Sequence, residues 1–320
     1  MARKFRKTAI LAKIETTPYT DAAPTGAANA IQIANLDVTP YNAQNVDRNL
    51  VRAAFGRSGQ LVGPGYVELS FEVELAGSGA AGTAPAYGPL LRACAFAEAI
   101  TASTGVDYTP VTDSLETVTI YYHRDGVKHA AVGCQGTFEL LMNVGQRPAL
   151  KFTFKGKSSS VPTATADPTL TLTAWKVPEV VSDANTADLL IGCAYSAGAL
   201  TGGTAYTSGG LSFNLGGTVS FTPLVGAEYI DFTDRQPVGS LMLDLTAAQE
   251  VTFDGYVRAN TLQSIGMIHG TATGKKVIVF GGQVQLMNRK HQDVNGVLMN
   301  AFDLGFDPSS GNDEFRICVL

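Results

Sequence analysis

A chain of 320 residues with 45% hydrophobic and 16% charged side chains can build a sizeable folded core, which excludes a disordered or low-complexity protein. A net charge of -5 excludes a general nucleic-acid binder, which carries a basic surface. Thirty-four glycines, with frequent Thr, Val, Ile, Tyr and Phe, favour strands and turns over helices.

The chain opens on "MARKFRKTAILAKIETTPY", basic and then briefly apolar. Lys13 and Glu15 interrupt a run too short for a secretory signal, and no small-residue cleavage site follows. No later segment reaches the roughly 18–20 uncharged residues of a spanning helix. The expectation is a protein that is neither exported nor inserted in a membrane. Residues 1–30 are expected as an N-terminal arm with Arg3, Lys4, Arg6 and Lys7. Cys94, Cys134, Cys193 and Cys318 form no C-x-x-C pair and read as reduced, mostly buried thiols.

"IQIANLDVTPY" reads as a strand. The polar, glycine-punctuated stretch after it carries Arg48, Arg52 and Arg57; it is too long for a tight turn and predicts a projecting loop over 45–65. "YVELSFEVEL" then alternates strictly, with Val67, Leu69, Phe71, Val73 and Leu75 on one face and Glu68, Ser70, Glu72 and Glu74 on the other. "AGSGAAGTAPAY" predicts a flexible loop. "GPLLRACAFAEAI" predicts a helix, with Pro89 in its first turn and Leu90, Leu91 and Cys94 in its apolar stripe. Strands follow at "ETVTIYYH", "HAAVGCQGTFELLMN" and "PALKFTFKGK". Surface loops are expected at 157–169 and 194–210. Beyond them come strands at "LSFNLGGTVSFTPL", "AEYIDFTD", "GSLMLDL", "KKVIVFGGQVQLMN" and "VLMNAFDLGFD", with a helix around Ala248–Ile265. No repeat of fixed period is visible, and the second half has too few clean strands to close a core unaided. Residues 31–320 are therefore expected as a single elaborated antiparallel β domain.

Three stretches carry chemistry on paper. "YYHRDGVKHAAVGCQGTF" (121–138) holds His123, Asp125, His129 and Cys134. Asp125-Gly126 between two alternating runs is a strong hairpin signal, and the opposite parity of His129 and Cys134 predicts that they face opposite ways. That leaves at most two ligands in reach, where zinc needs three or four. "GSGAAG" (77–82) matches a dinucleotide fingerprint, but Pro85 and more loop intervene before any helix. "AYSAG" (194–198), with His269 and His291 downstream, is near a nucleophile elbow, but no helix follows Ser196. No catalytic residue, metal or cofactor is expected, and the chain is read as no enzyme.

The acidic row Glu68, Glu72 and Glu74 has no offsetting charge near it in sequence. It suits a wide water-filled space better than the crowded face of a monomer.

Several stretches together resemble the tail tube (major tail) proteins of long, flexible-tailed bacteriophages. They are "FEVELAGSGAAGTAPAYGPLLRACAFAEA" (71–99), "VTIYYHRDGVKHAAVGCQGTFELLMNVGQRPALKFTFKG" (118–156), "LSFNLGGTVSF" (211–221), "YIDFTDRQPVGSLML" (229–243) and "DVNGVLMNAFDLGFDPSSGNDEFRI" (293–317). The resemblance implies an antiparallel β-sandwich with a flanking α-helix, whose inner strands join those of neighbours into a ring-shaped β-barrel. It implies hexameric rings stacked into a tube that conducts DNA during ejection. It also implies a place in the virion tail after assembly in the host cytoplasm, with tail tip, tape-measure and tail terminator proteins as partners. In that setting Glu68, Glu72 and Glu74, joined by Glu139, are expected to line the lumen, and Arg48, Arg52 and Arg57 to make contacts between rings. The alternatives are the tube protein of a contractile injection or secretion system and a β-sandwich binding module; the single Trp175 and scattered tyrosines do not suggest the latter.

Overall fold

The alternation at 65–74 is realised residue by residue: Val67, Leu69, Phe71 and Val73 are buried, and the residues between them are half-buried. The computed structural model describes residues 2–320. In the first half the elements are β1 (Thr8–Ile14), β2 (Ala30–Ile31), β3 (Ala34–Ala43), β4 (Val46–Asp47), β5 (Gln60–Leu61), β6 (Gly65–Glu74), α1 (Gly88–Arg92), β7 (Phe96–Thr101), β8 (Gly105–Pro110), β9 (Val118–Arg124), β10 (Val127–Asn143), β11 (Ala149–Ser158) and β12 (Thr163–Ala164). The second half adds β13 (Leu189–Ser196), β14 (Ala199–Tyr206), β15 (Ser208–Asn214), β16 (Gly217–Leu224), β17 (Ala227–Arg235), β18 (Val238–Leu243), α2 (Ala247–Ala259), β19 (Leu262–His269), β20 (Val277–Val294), β21 (Val297–Phe306) and β22 (Arg316–Val319). The chain is mainly β, and its strands pair antiparallel.

The sheet is organised by two long strands. One edge of β10 pairs with β9 as far as Cys134 and then with β15 from Glu139, while its other edge holds β11. In the same way β20 pairs with β22 near its start and with β21 along the rest, and its other edge holds β19. The result is a central run in the order β3-β6-β11-β10-β15-β18-β21-β20. Branches β9-β1-β2 and β19-β13-β14 leave the long strands, and β22-β8-β7 leaves the start of β20. These pairings branch and do not close into a cylinder among the described residues.

One face of the central run is covered by the branches and helices. Phe96 of β7 meets Phe138 of β10 at 5.3 Å, Phe253 of α2 meets Phe302 of β21 at 5.7 Å, and Phe315 stacks on Phe213 at 3.6 Å. A single apolar cluster runs through both halves, from Ile10 to Val319.

Both helices are shorter than the sequence predicts. The run expected as a helix over 88–100 turns helical only for Gly88–Arg92. Ala95 takes a left-handed φ of 61°, and Phe96 starts a strand because its ring is buried against Phe138. One turn cannot sustain itself against such packing. In α2, Thr246 and Gln249 form a capping box and left-handed Asn260 stops the helix. Residues 262–265, expected as helix, belong instead to β19, where Ile265 and Met267 are buried. The expected surface loop 194–210 is largely the hairpin β13–β14, turning through Ala197 and Gly198. Within 1–30, β1 is an integral strand with Ile10, Leu11 and Ala12 buried.

Candidate functional site

The three sequence stretches that suggested chemistry are each occupied structurally. Asp125 and Gly126 have φ of 39° and 83°, the two left-handed residues of a primed hairpin turn between β9 and β10. His129 stacks on Tyr122 at 4.2 Å and His123 is buried. The parity reading needs correction: a bulge lies between Ala131 and Cys134 of β10, and the pairs Tyr122–His129, Ile120–Ala131 and Val118–Cys134 put His129 and Cys134 on one face. Among the described residues, no three His, Cys, Asp or Glu side chains come together to hold a metal. Gly77 and Gly79 pack against Gly274, Gly79 N–H donating to its carbonyl at 2.7 Å, ahead of the one-turn α1. Ser196 ends a strand at a hairpin turn. His269 is held by Thr186 Oγ1 at 2.9 Å and the Glu179 carbonyl at 3.1 Å, and His291 by Glu250 at 2.8 Å.

What remains is the second face of the central run. Its side chains lie in register from strand to strand. Glu72 faces Lys151, which faces Glu139; Glu68 faces Lys155; and Asp37, Ser70, Thr153 and Thr137 form the row between. The glutamate row is therefore offset from outside its own strand. Arg147 bonds Glu72 at 2.6 Å and lies 3.8 Å from Glu74, and Lys151 lies 3.6 Å from Glu139. Sequence reasoning missed these cations, although Lys151 and Lys155 occupy the polar positions of "KFTFK" and pair with β6 across one strand boundary. Further along, the face carries fewer charges, with Ser212, Ser240 and Asn214 beside Asp303 and, at the far strand, Lys290.

The hairpin β16–β17 crosses one end of this face. Gly217 N–H donates to Thr137 Oγ1 at 3.1 Å, Phe232 N–H to Gln135 Oε1 at 2.7 Å, and Lys155 Nζ to the Val219 carbonyl at 2.8 Å. The 45–65 stretch projects, with β4 and β5 pairing over two residues. Arg48, Arg52 and Arg57 are exposed on it, and none pairs with a carboxylate among the described residues. The basic start of the chain is tied back: Lys7 bridges Asp125 and Asp167, each at 2.8 Å, and Lys4 N–H donates to Asp125 at 2.6 Å. These contacts hold both carboxyls below the usual carboxylate range and the Lys7 ammonium above its usual value.

The chain is a layered antiparallel sheet with one polar face and open strand edges. The family model described as phage tail tube protein matches residues 6–313, nearly the whole length. The chain belongs to the phage tail tube protein family. No curated protein matches it. As a member of a structural phage tail family, the tail tube protein is a component of the virion tail. No helix among its described residues is long and apolar enough to cross a membrane.

Proposed function

We propose that this tail tube protein assembles into hexameric rings of β-sandwich units, six to a ring, that stack into a hollow tube through which DNA passes during ejection. The observation that carries this reading is the central run itself: eight strands with one face buried and the other polar and open, ending in a free edge along β3 and along β20 beyond Gln285. A sheet of that kind is completed by pairing with neighbours, and head-to-tail pairing closes rings. On this reading the polar face, with Glu68, Glu72, Glu74 and Glu139, lines the lumen. The exposed Arg48, Arg52 and Arg57 make contacts between rings, and the tube ends meet tail tip, tape-measure and terminator proteins. The protein then needs no catalytic residue and no cofactor.

The lumen so formed is a mixed surface. Carboxylates outnumber ammonium and guanidinium groups, yet most of the glutamates have a cation within reach. Such a wall offers phosphates weak repulsion without a track of free cations to hold them, and its influence extends roughly 8 Å at physiological salt. The test is the triple variant Glu68→Gln, Glu72→Gln, Glu74→Gln, which frees Arg147 without reversing charge. Tubes should form in normal number while genome delivery per particle falls. Normal delivery would remove the glutamates from the lumen, and failure to form tubes would give them a purely structural role.

A further inference from the structure

Two sets of strands in this chain pair in matching register. Across β3, β6, β11 and β10 the row is Asp37, Ser70, Thr153, Thr137; across β15, β18, β21 and β20 it is Ser212, Ser240, Asp303, Met287. Behind them, Ile120 faces Ala131 and then Val118 faces Cys134, while Ile265 faces Gly281 and then Gln263 faces Val284, with the same slip in each. Ala12 faces Ile120 as Ile191 faces Ile265. The irregularity between Ala34 and Asp37 recurs between Ser208 and Leu211, and each contains a left-handed residue, Asn35 with φ 52° and Gly210 with φ 115°. The chain is a doubled unit whose side chains have diverged beyond a readable repeat.

Within the central run the two units are joined by one ladder, from Glu139 facing Asn214 to Asn143 facing Gly210. It buries Leu140, Met142, Leu211 and Phe213. The same two edges recur at the ends of the central run, this time open. Among the described residues no strand lies beside β3 opposite β6, or beside β20 beyond Gln285 on the edge that holds β19. Leu36 and Val38, the counterparts of Leu211 and Phe213, are only half-buried. Between Met287 and Lys290, β20 gains one residue relative to β10, at left-handed Asn288, so Lys290 is the counterpart of Glu139.

We infer that β20 of one copy pairs antiparallel with β3 of a second copy, Lys290 facing Thr39 and Gln292 facing Asp37, repeating the β10–β15 joint. It follows that a ring of six units is closed by three chains, in place of the six chains of a hexameric ring. This rests on the tube reading, which supplies the six. The joint between copies is more polar than the internal one, because His291 and Asp293 stand where Leu140 and Met142 stand. Its backbone ladder holds it together, and its polar edge keeps free subunits from pairing indiscriminately. The segment 44–64 leaves β3 where the β16–β17 hairpin leaves β15. It therefore crosses the neighbour near Met287 and Gly305, covers Val51 and Phe55, which are fully exposed here, and carries its arginines on toward the next ring.

The test places Asp37→Cys and Gln292→Cys in one chain, assembles tubes and oxidises them. The four native cysteines are free and buried, so they leave little background. A non-reducing gel should show monomer, dimer and trimer, and nothing above trimer. The pair Asp37→Cys and Met287→Cys, out of register, should stay monomeric. Averaged cross-sections of tubes from the unmodified chain should show threefold symmetry, which guards against a variant that does not fold. Tubes with strict sixfold symmetry, a ladder rising to six, or no cross-link in assembled tubes would each overturn the joint and leave the tube reading standing. If the unmodified chain forms neither rings nor tubes, the tube reading fails and the joint with it.

Discussion

Glu15 is one of the few buried carboxylates. It accepts hydrogen bonds from Thr117 Oγ1 and Thr119 Oγ1 at 2.7 Å and from the Gly133 and Tyr19 N–H groups at 2.8 Å. It pins the bulge at Gly133, whose own geometry has no room for a side chain because the Tyr19 ring lies against it. Glu15→Ala leaves several buried donors without an acceptor and should cost about 3 kcal/mol. A thermal melt lowered by less than about 3 °C would contradict this. A second residue-scale prediction concerns the start of the chain. Asp125 and Asp167 have depressed values in the fold, chiefly through the hydrogen bonds from Lys7. Their contribution is complete above the ordinary carboxylate value of about 3.9 and is lost as pH falls through the lower folded values. Hydrogen exchange in β1 should therefore accelerate near pH 3 relative to pH 6 beyond the intrinsic trend, and Lys7→Gln should remove that difference. The same region marks a limit of residue-scale reading. Asp125-Gly126 announces its turn plainly, whereas the bulge that brings His129 and Cys134 onto one face leaves no local mark, because Glu15 imposes it from over a hundred residues away.

At the level of elements, clean alternation was the most legible signal. The strand over 65–74 and those at 118–124, 127–143 and 149–158 follow from period-two patterning and turn residues. Elements set by distant packing were less so: β7, β8 and β13 carry short or mixed patterns and became strands because Phe96, Tyr108 and Ile191 are buried by partners elsewhere in the chain. The β16–β17 hairpin has a long-range anchor of its own. Arg235, at its end, bonds the buried Glu314 carboxylate, the Val111 carbonyl at 2.7 Å and Asn312 Oδ1 at 2.5 Å. Removing one member of a buried ion pair leaves an uncompensated charge, so Arg235→Ala should destabilise by about 3 kcal/mol. The double variant Arg235→Met, Glu314→Leu should recover most of that loss in denaturant unfolding. If it is no more stable than the single variant, the bonds to Val111 and Asn312 outweigh the ion pair.

At the scale of the whole molecule, an acidic face on the strand over 65–74 could be read directly. Its neutralisation could not, because it depends on which strands become neighbours: Lys151 and Lys155 meet the glutamates only once β11 lies between β6 and β10. The doubling was hidden for the same reason. Pairing register is kept where side chains are not: Phe71 and Leu241 hold matching core positions, but Glu68 and Val238 hold matching polar ones. The two halves thus share a backbone plan and present different surfaces, one densely charged and one carrying fewer charges.

The placement of β15 beside β10 also bears on synthesis. The strand that covers Leu140 and Met142 ends at Asn214, some seventy residues after β10 ends. At about 5–20 residues per second, the ribosome needs several seconds to supply it. During that interval the finished first half holds an apolar strand edge open to any passing chain, a period of exposure that a chaperone at the tunnel exit would shorten. Fragments ending before residue 208 should accordingly be sticky and insoluble, even though they contain every strand of the first unit.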